Sequence, residues 1–289
     1  MGVVANLKTG LTLSLDSLTV LREYPKLLAF PAISGVATTV FFVVLYFGVF
    51  VAGFLGGGIA EYVALFVLYF VTTFTASLFT AALVHAVNDT FHERDPSVGR
   101  SVRAAWRMKG PIVVWSAIAA VVSLIIRQLE ESNSPLSGIA ASLFSLGWTI
   151  TTFFIIPVIV FEDVDVTSMF TRSAETFADT WGETLGAGLG LGLIQLLLAV
   201  GCVVVAVGLA AVVATISPGA GLLAGAFVVV FGLLVAYLVG QTIRGIAKTA
   251  LYLYAREGTV PEAFTDFDFE TLDGRAEHKA TPKGERIEG

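Results

Sequence analysis

An all-α, polytopic membrane bundle is the fold this sequence predicts, and three observations predict it. Of 289 residues, 56% are hydrophobic and only 14% charged, where an ordinary soluble domain carries about 25% charged residues; mean hydropathy is +0.84. Six apolar stretches reach or approach the roughly 20 residues that a helix needs to cross a bilayer core about 30 Å thick. When these stretches alternate in direction, all of the 17 Lys and Arg residues except Arg127 fall on one side, the asymmetry that marks a cytoplasmic face. The expected architecture is six transmembrane helices with three amphipathic interfacial helices, in the cell membrane, with both termini cytoplasmic. The formal charge of −6 describes no single surface, because acidic residues gather after Arg256 and arginines sit beside the apolar runs. No nucleic-acid partner is expected.

Leu7, Leu11, Leu15 and Leu18 recur at helical spacing while Lys8, Thr9, Asp16 and Ser17 fall elsewhere, so the first element is expected to be an interfacial amphipathic helix. Pro25 ends it, since the residue before a proline is pushed out of the helical region. The opening residues lack a basic start, an unbroken apolar centre and a small-residue cleavage site, so no removable signal peptide is expected. The first span is placed at 27–54 and the second at 60–87, joined by a turn at Gly56-Gly57-Gly58 that carries no cation.

The basic stretch 90–111 follows, with Arg94, Arg100, Arg103, Arg107 and Lys109 between two apolar runs. Asp95 as N-cap and Pro96 at the first helical position predict a second interfacial helix. Val98, Val102, Ala105 and Trp106 should share one face, and Arg100, Arg103 and Arg107 the other. The third span is placed at 111–127, a turn at Asn133-Ser134-Pro135, and the fourth span at 136–161, with Pro157 near its inner end, where a kink is tolerated if neighbouring groups satisfy the freed carbonyl. Val166, Met169, Phe170, Phe177 and Trp181 form the stripe of a third interfacial helix, with Arg172, Glu175 and Asp179 facing away. The fifth span covers 184–213 and the sixth 221–243, after which the helix should continue along the interface through Tyr252 and Tyr254 to Arg256. Together residues 1–256 make the membrane domain. Residues 257–289 are charged and poor in apolar groups, the composition of a largely disordered cytoplasmic tail. An amphipathic helix feeding a pair of spans occurs three times, which suggests a threefold repeat in architecture.

Few residues carry recognisable chemistry. His85, Asp89 and His92 recur at i, i+4 and i+7, a spacing that could hold zinc; the simpler reading is a polar helix exit. Gly182, Gly186 and Gly190 form a small-residue row, echoed by Gly221 and Gly225, that lets helices approach closely. This suits packing within the bundle, a dimer face or a pore lining. Gln195 is the clearest polar residue deep in a span. Arg244 and Lys248 either snorkel to the interface or lie in the membrane, where Glu162 or Asp163 would be their partners. Cys202, the single cysteine, excludes an intrachain disulfide and a cysteine-built metal cluster. There is no HExxH, no phosphate-cradling glycine loop, no serine elbow and no intramembrane aspartate pair, so the chain reads as non-enzymatic and no cofactor is expected. Arg100, Arg103 and Arg107 with Trp106 are the best functional surface. They serve anionic lipid headgroups, pair with Glu175, Asp179 and Glu183, or act as topology determinants alone.

The segments LREYPKLLAFPAISG, DPSVGRSVRAAWRMKG, TTFFIIPVIVFEDV, SAETFADTWGETLGAGLGLGL and ALYLYAREGTVPEAF together resemble an uncharacterised family of prokaryotic six-span membrane proteins, a domain of unknown function. The resemblance reaches to about Phe264. It implies the same layout and a prokaryotic origin, and it assigns no activity, ligand or catalytic residue. The function expected is therefore that of a membrane protein whose cytoplasmic face contacts lipid headgroups or a partner protein, with a homo-oligomer as one form of partnership. The rival is a transporter or channel for a small or apolar substrate, which a polar cavity between the spans would favour.

Overall fold

The computed structural model describes residues 3–51, 58–132, 135–162, 165–181, 187–215 and 217–258, together with residues 261, 264 and 267. Among them there is no strand. The helices are α1 (Val3–Glu23), α2 (Ala29–Val51), α3 (Ile59–Phe91), α4 (Val98–Arg107), α5 (Lys109–Glu130), α6 (Pro135–Thr151), α7 (Ile155–Phe161), α8 (Val166–Trp181), α9 (Ala187–Ala214) and α10 (Pro218–Glu257). One 3-10 turn, Pro25–Leu28, leads into α2. Among the described residues five segments are long and apolar enough to cross a membrane: Pro25–Val49, Ile59–Phe91, Lys109–Glu130, Ser137–Phe161 and Gly221–Glu257. In α9 the apolar stretch Ala199–Ala214 is shorter. The expected turn residues Asn133, Ser134, Gly56 and Gly57 lie outside the described residues.

The core sits at one end. Its fully buried large side chains are Leu13 and Val20 of α1, Leu27 and Phe30 at the entry to α2, Val84 of α3, Ile112 of α5, Phe154 before α7, Met169 of α8 and Ile246, Leu251 and Tyr252 of α10. At the other end, α2, α6, α9 and α10 expose rows such as Val36, Val40, Leu143, Val204, Leu222 and Phe227. In water such rows would drive association; against lipid tails they cost nothing.

Several elements differ from expectation for visible physical reasons. In α1 the leucine stripe is divided: Leu15 is 51% exposed whereas Leu18 packs against the core, and Leu13, Ser14, Ser17 and Val20, off the stripe, are buried in a helix that packs on α9 and α10; the side chain of Leu7 lies outside the described residues. The two serines tolerate burial because Ser14 Oγ donates to Gly10 O at 2.7 Å and Ser17 Oγ to Leu13 O at 2.8 Å. Asp95 and Pro96 do not begin α4, whose N-cap is Ser97; the Asp95 carboxylate is taken instead by Lys26 Nζ at 2.9 Å.

The fourth apolar stretch breaks at residues 152–154, before Pro157 and not at it. Pro157 has no N–H to give the Phe153 carbonyl, and the freed Phe154 N–H donates to Ser173 Oγ of α8 at 3.1 Å. In the stripe of α8, Met169 and Phe177 enter the core, and Phe170 joins the stacked Trp115 and Trp148; the side chain of Trp181 lies outside the described residues. Likewise the last third of α10 does not run along a surface, since Ile243, Ile246, Ala250 and Tyr252 are buried. In the tail, Phe264 and Phe267 are buried, Phe264 edge-on to Phe91 with centroids 5.9 Å apart.

Candidate functional site

The basic helix α4 packs on α3 and α5 through buried Ser101 and Ala105. Arg103, Trp106 and Arg107, at i, i+3 and i+4, share the exposed side. Trp106 therefore lies among the cations, not opposite them: it is 50% exposed, touches Phe74 edge-on and carries Lys109 Nζ 5.5 Å from its ring centroid. Arg100 is spent on the fold, since its Nη2 is 2.9 Å from Asp89 Oδ2 and also donates to the Asp95 carbonyl. Arg103 and Arg107 make no ion pair among the described residues. Glu175 lies beside Arg172; Glu183 lies outside the described residues.

The suggested metal trio does not assemble. Asp89 is held by Arg94 and Arg100, and His92 Nδ1 lies 2.8 Å from the Asn88 carbonyl. Among the described residues no group of three His, Cys, Asp or Glu side chains could hold a metal ion. Gly182 and Gly186 lie outside the described residues, and Gly190 falls near the start of α9. The echo at Gly221 and Gly225 is a close approach within the chain: a Cβ on Gly221 would lie 2.7 Å from Ala214 N, and one on Gly225 2.7 Å from Ala210 Cβ.

A second constellation lies where α7, α8 and α10 meet. Tyr252 Oη donates to Glu162 Oε1 at 2.5 Å, Arg172 Nε donates to Glu162 Oε2 at 2.9 Å, and Arg256 donates to the Phe161 carbonyl at 2.9 Å. Burial pushes the Glu162 carboxyl up, but the hydrogen bonds from Tyr252 and Arg172 and the Arg172 and Arg256 charges outweigh it, so the group sits below its ordinary value. This is a structural clasp, and it removes Glu162 as a partner for Arg244 or Lys248.

Those two cations instead line a cavity of about 920 Å³ between α2, α3 and α10. Gln241, Arg244 and Lys248 lie on one side of α10 and Ser34 and Thr38 on α2 opposite. The Nε of Arg244 is buried without a hydrogen-bond partner, a state that costs about 1–3 kcal/mol or more for a charged group. Lys248 Nζ rests 4.2 Å from the Phe153 ring centroid, which the break between α6 and α7 brings into reach; an aromatic face is a partial substitute for an anion. Neither cation forms an ion pair among the described residues. The same lining carries the apolar side chains Val36, Val40, Phe79 and Leu234, of which Val36, Val40 and Leu234 are exposed. A smaller depression of about 460 Å³ lies beside Tyr69, Arg127 and Glu130, where Arg127 is already 2.8 Å from Glu131.

Sequence reasoning weighed Arg244 and Lys248, used Gln241 only to mark with them the inner exit of the sixth span, and passed over Ser34 and Thr38. Their spacings, i to i+4 on α2 and i to i+3 to i+7 on α10, place each set on one helix face, a signal that could have found them. The side chain of Gln195 lies outside the described residues.

The helices and their exposed apolar rows define a helical membrane protein. Residues 59–262 match the family of unknown function DUF6159, and the chain belongs to that family. Neither the curated proteins nor the solved structures include a match.

Proposed function

We propose that this protein is a non-enzymatic, six-span membrane protein whose cytoplasmic face engages anionic lipid headgroups. The observation that carries the reading is the exposed trio Arg103, Trp106 and Arg107 on α4, beside Lys109 and without carboxylate partners among the described residues. Tryptophan favours the headgroup level of a bilayer, and each cation near an anionic surface contributes about 1 kcal/mol. The positive-inside rule assigns this face, with both termini, to the cytoplasm, and α9 supplies the remaining span. In this reading α4 is interfacial, whereas Arg100 serves the fold through Asp89.

The test is native mass spectrometry of protein released from vesicles of mixed anionic and zwitterionic phospholipid. R103Q/R107Q should retain about thirtyfold less anionic lipid at the peripheral sites, as two lost contacts of that size imply. Unchanged anionic enrichment would remove the proposal. Transport of a small or apolar substrate is the second reading, and the cavity beside α10 is the observation that favours it; uptake into proteoliposomes tests it.

A further inference from the structure

We infer that the groove between α2, α3 and α10 is a binding site for one anionic phospholipid, its phosphate held by Arg244 and Lys248 and an acyl chain lying along the apolar wall. The inference stands apart from the α4 surface, which it does not use. Charge comes first. Arg244 and Lys248 are four residues apart on one helix face, where like charges repel, and the described residues give them no carboxylate. Arg244 Nε is buried and unpartnered. A phosphate seated between them would satisfy that donor and offset the repulsion.

The remaining polar groups say which anion fits. Ser34, Thr38 and Gln241 line the same groove as the cations, and their hydroxyls and amide make no hydrogen bond with another described residue, so several uncommitted donors are available to one acceptor-rich group. The other threonines of the lining are already engaged: Thr39 donates to Gly35 O, Thr72 to Leu68 O and Thr80 to Ala76 O. The rest of the groove thus presents few free donors and suits a hydrocarbon chain better than a file of water.

Shape agrees with charge. From Arg244 to Leu234 is ten residues of helix, about 15 Å at 1.5 Å per residue, comparable to half of a bilayer core about 30 Å thick. The cavity of about 920 Å³ lies near the top of the range for ligand pockets, about 300–1,000 Å³, and is far larger than a lone phosphate requires. Val36, Val40 and Leu234 on its lining are exposed, so the groove is open sideways, and a lipid would enter there from the surrounding leaflet.

Protein stripped of lipid in detergent is titrated by native mass spectrometry with dioleoyl-phosphatidylglycerol, with dioleoyl-phosphatidylcholine and with inorganic phosphate. One phosphatidylglycerol per chain should bind at concentrations where phosphatidylcholine does not, and R103Q/R107Q should leave that single lipid in place. R244Q/K248Q should weaken it about thirtyfold. A Cβ on Gly35 meets no atom within 4 Å, so Gly35→Leu fills the groove without straining α2; it should weaken the lipid about tenfold while both cations remain. Equal binding of the two lipids, or unchanged phosphatidylglycerol affinity in Gly35→Leu, overturns the inference even if R244Q/K248Q fails to fold. Displacement of the lipid by inorganic phosphate at matched concentration would likewise overturn it, by assigning the cations to a free anion.

Discussion

At the scale of single residues, Glu162 decides how three helices meet. Its side chain is 11% exposed and takes one hydrogen bond from α10 through Tyr252 and one from α8 through Arg172. Tyr252 is held in turn by stacking on Phe161 at 5.6 Å between centroids. A hydrogen bond to a charged group contributes about 1.5–3 kcal/mol, so Tyr252→Phe should lower stability by about that amount, read from thermal unfolding in detergent. The pH dependence follows from the direction of the shift. The folded carboxyl titrates below its ordinary value, so its stabilisation is complete above the unfolded value of about 4.3 and is lost as pH falls through the folded one. Glu162→Gln should flatten the acid limb of the unfolding temperature below about pH 4.3, and an acid limb identical to that of the parent would contradict the clasp. Sequence reading offered Glu162 to Arg244 or Lys248 because all three lie near one span boundary. It could not weigh Arg172, ten residues on, because a contact between side chains of α7's end and α8 leaves no periodic mark in the sequence.

At the scale of elements, helix positions were legible and helix neighbours were not. Apolar length makes α2, α3 and α5 readable as helices long enough to cross a membrane, because a bilayer fixes how much hydrocarbon a crossing helix needs. The break in the fourth stretch was displaced because Pro157 announces a missing donor, while the carbonyl it leaves and the hydroxyl that repairs the turn belong to Phe153 and Ser173. The contact of α9 with α10 is a sharper case. Gly221 and Gly225 were readable as small residues, but only the packing shows what they touch: a Cβ on Gly221 would sit 2.7 Å from Ala214 N and 2.8 Å from Ala210 O. These are backbone atoms that cannot rotate aside. Gly221→Ala should therefore force the two helices apart and cost about 1–3 kcal/mol, as overpacking does. Gly208→Ala, where a Cβ meets nothing within 4 Å, should cost nothing and can gain up to about 1 kcal/mol of helix propensity. Equal unfolding temperatures for the two variants would show that the close approach carries no energy.

At the scale of the whole molecule, packing is one-sided: protein buries protein around α4, α7, α8 and the end of α10, and the far halves of α2, α6, α9 and α10 expose hydrocarbon. Composition made the hydrocarbon legible. It could not reveal that α2, α3 and α10 leave a groove, because a groove is a property of three helices and each is ordinary alone. The distribution of charge adds a direction. Arg22, Arg107 and Glu257 lie toward the core end, Glu131 and Gly219 toward the other, and the positive-inside rule predicts that the first set faces the cytoplasm. Cys202 is the only native cysteine, so replacing it with alanine gives a background for single reporters. Cysteines at 22, 107 and 257 should resist a membrane-impermeant maleimide in sealed cells and react after permeabilisation, whereas those at 131 and 219 should react at once. The reverse pattern would turn the molecule over and with it the source of its lipid, because Arg244 and Lys248 face the leaflet that the core end touches. If the labelling runs as expected, the groove draws from the inner leaflet, where anionic headgroups make the surface potential negative and hold the local supply of the ligand high.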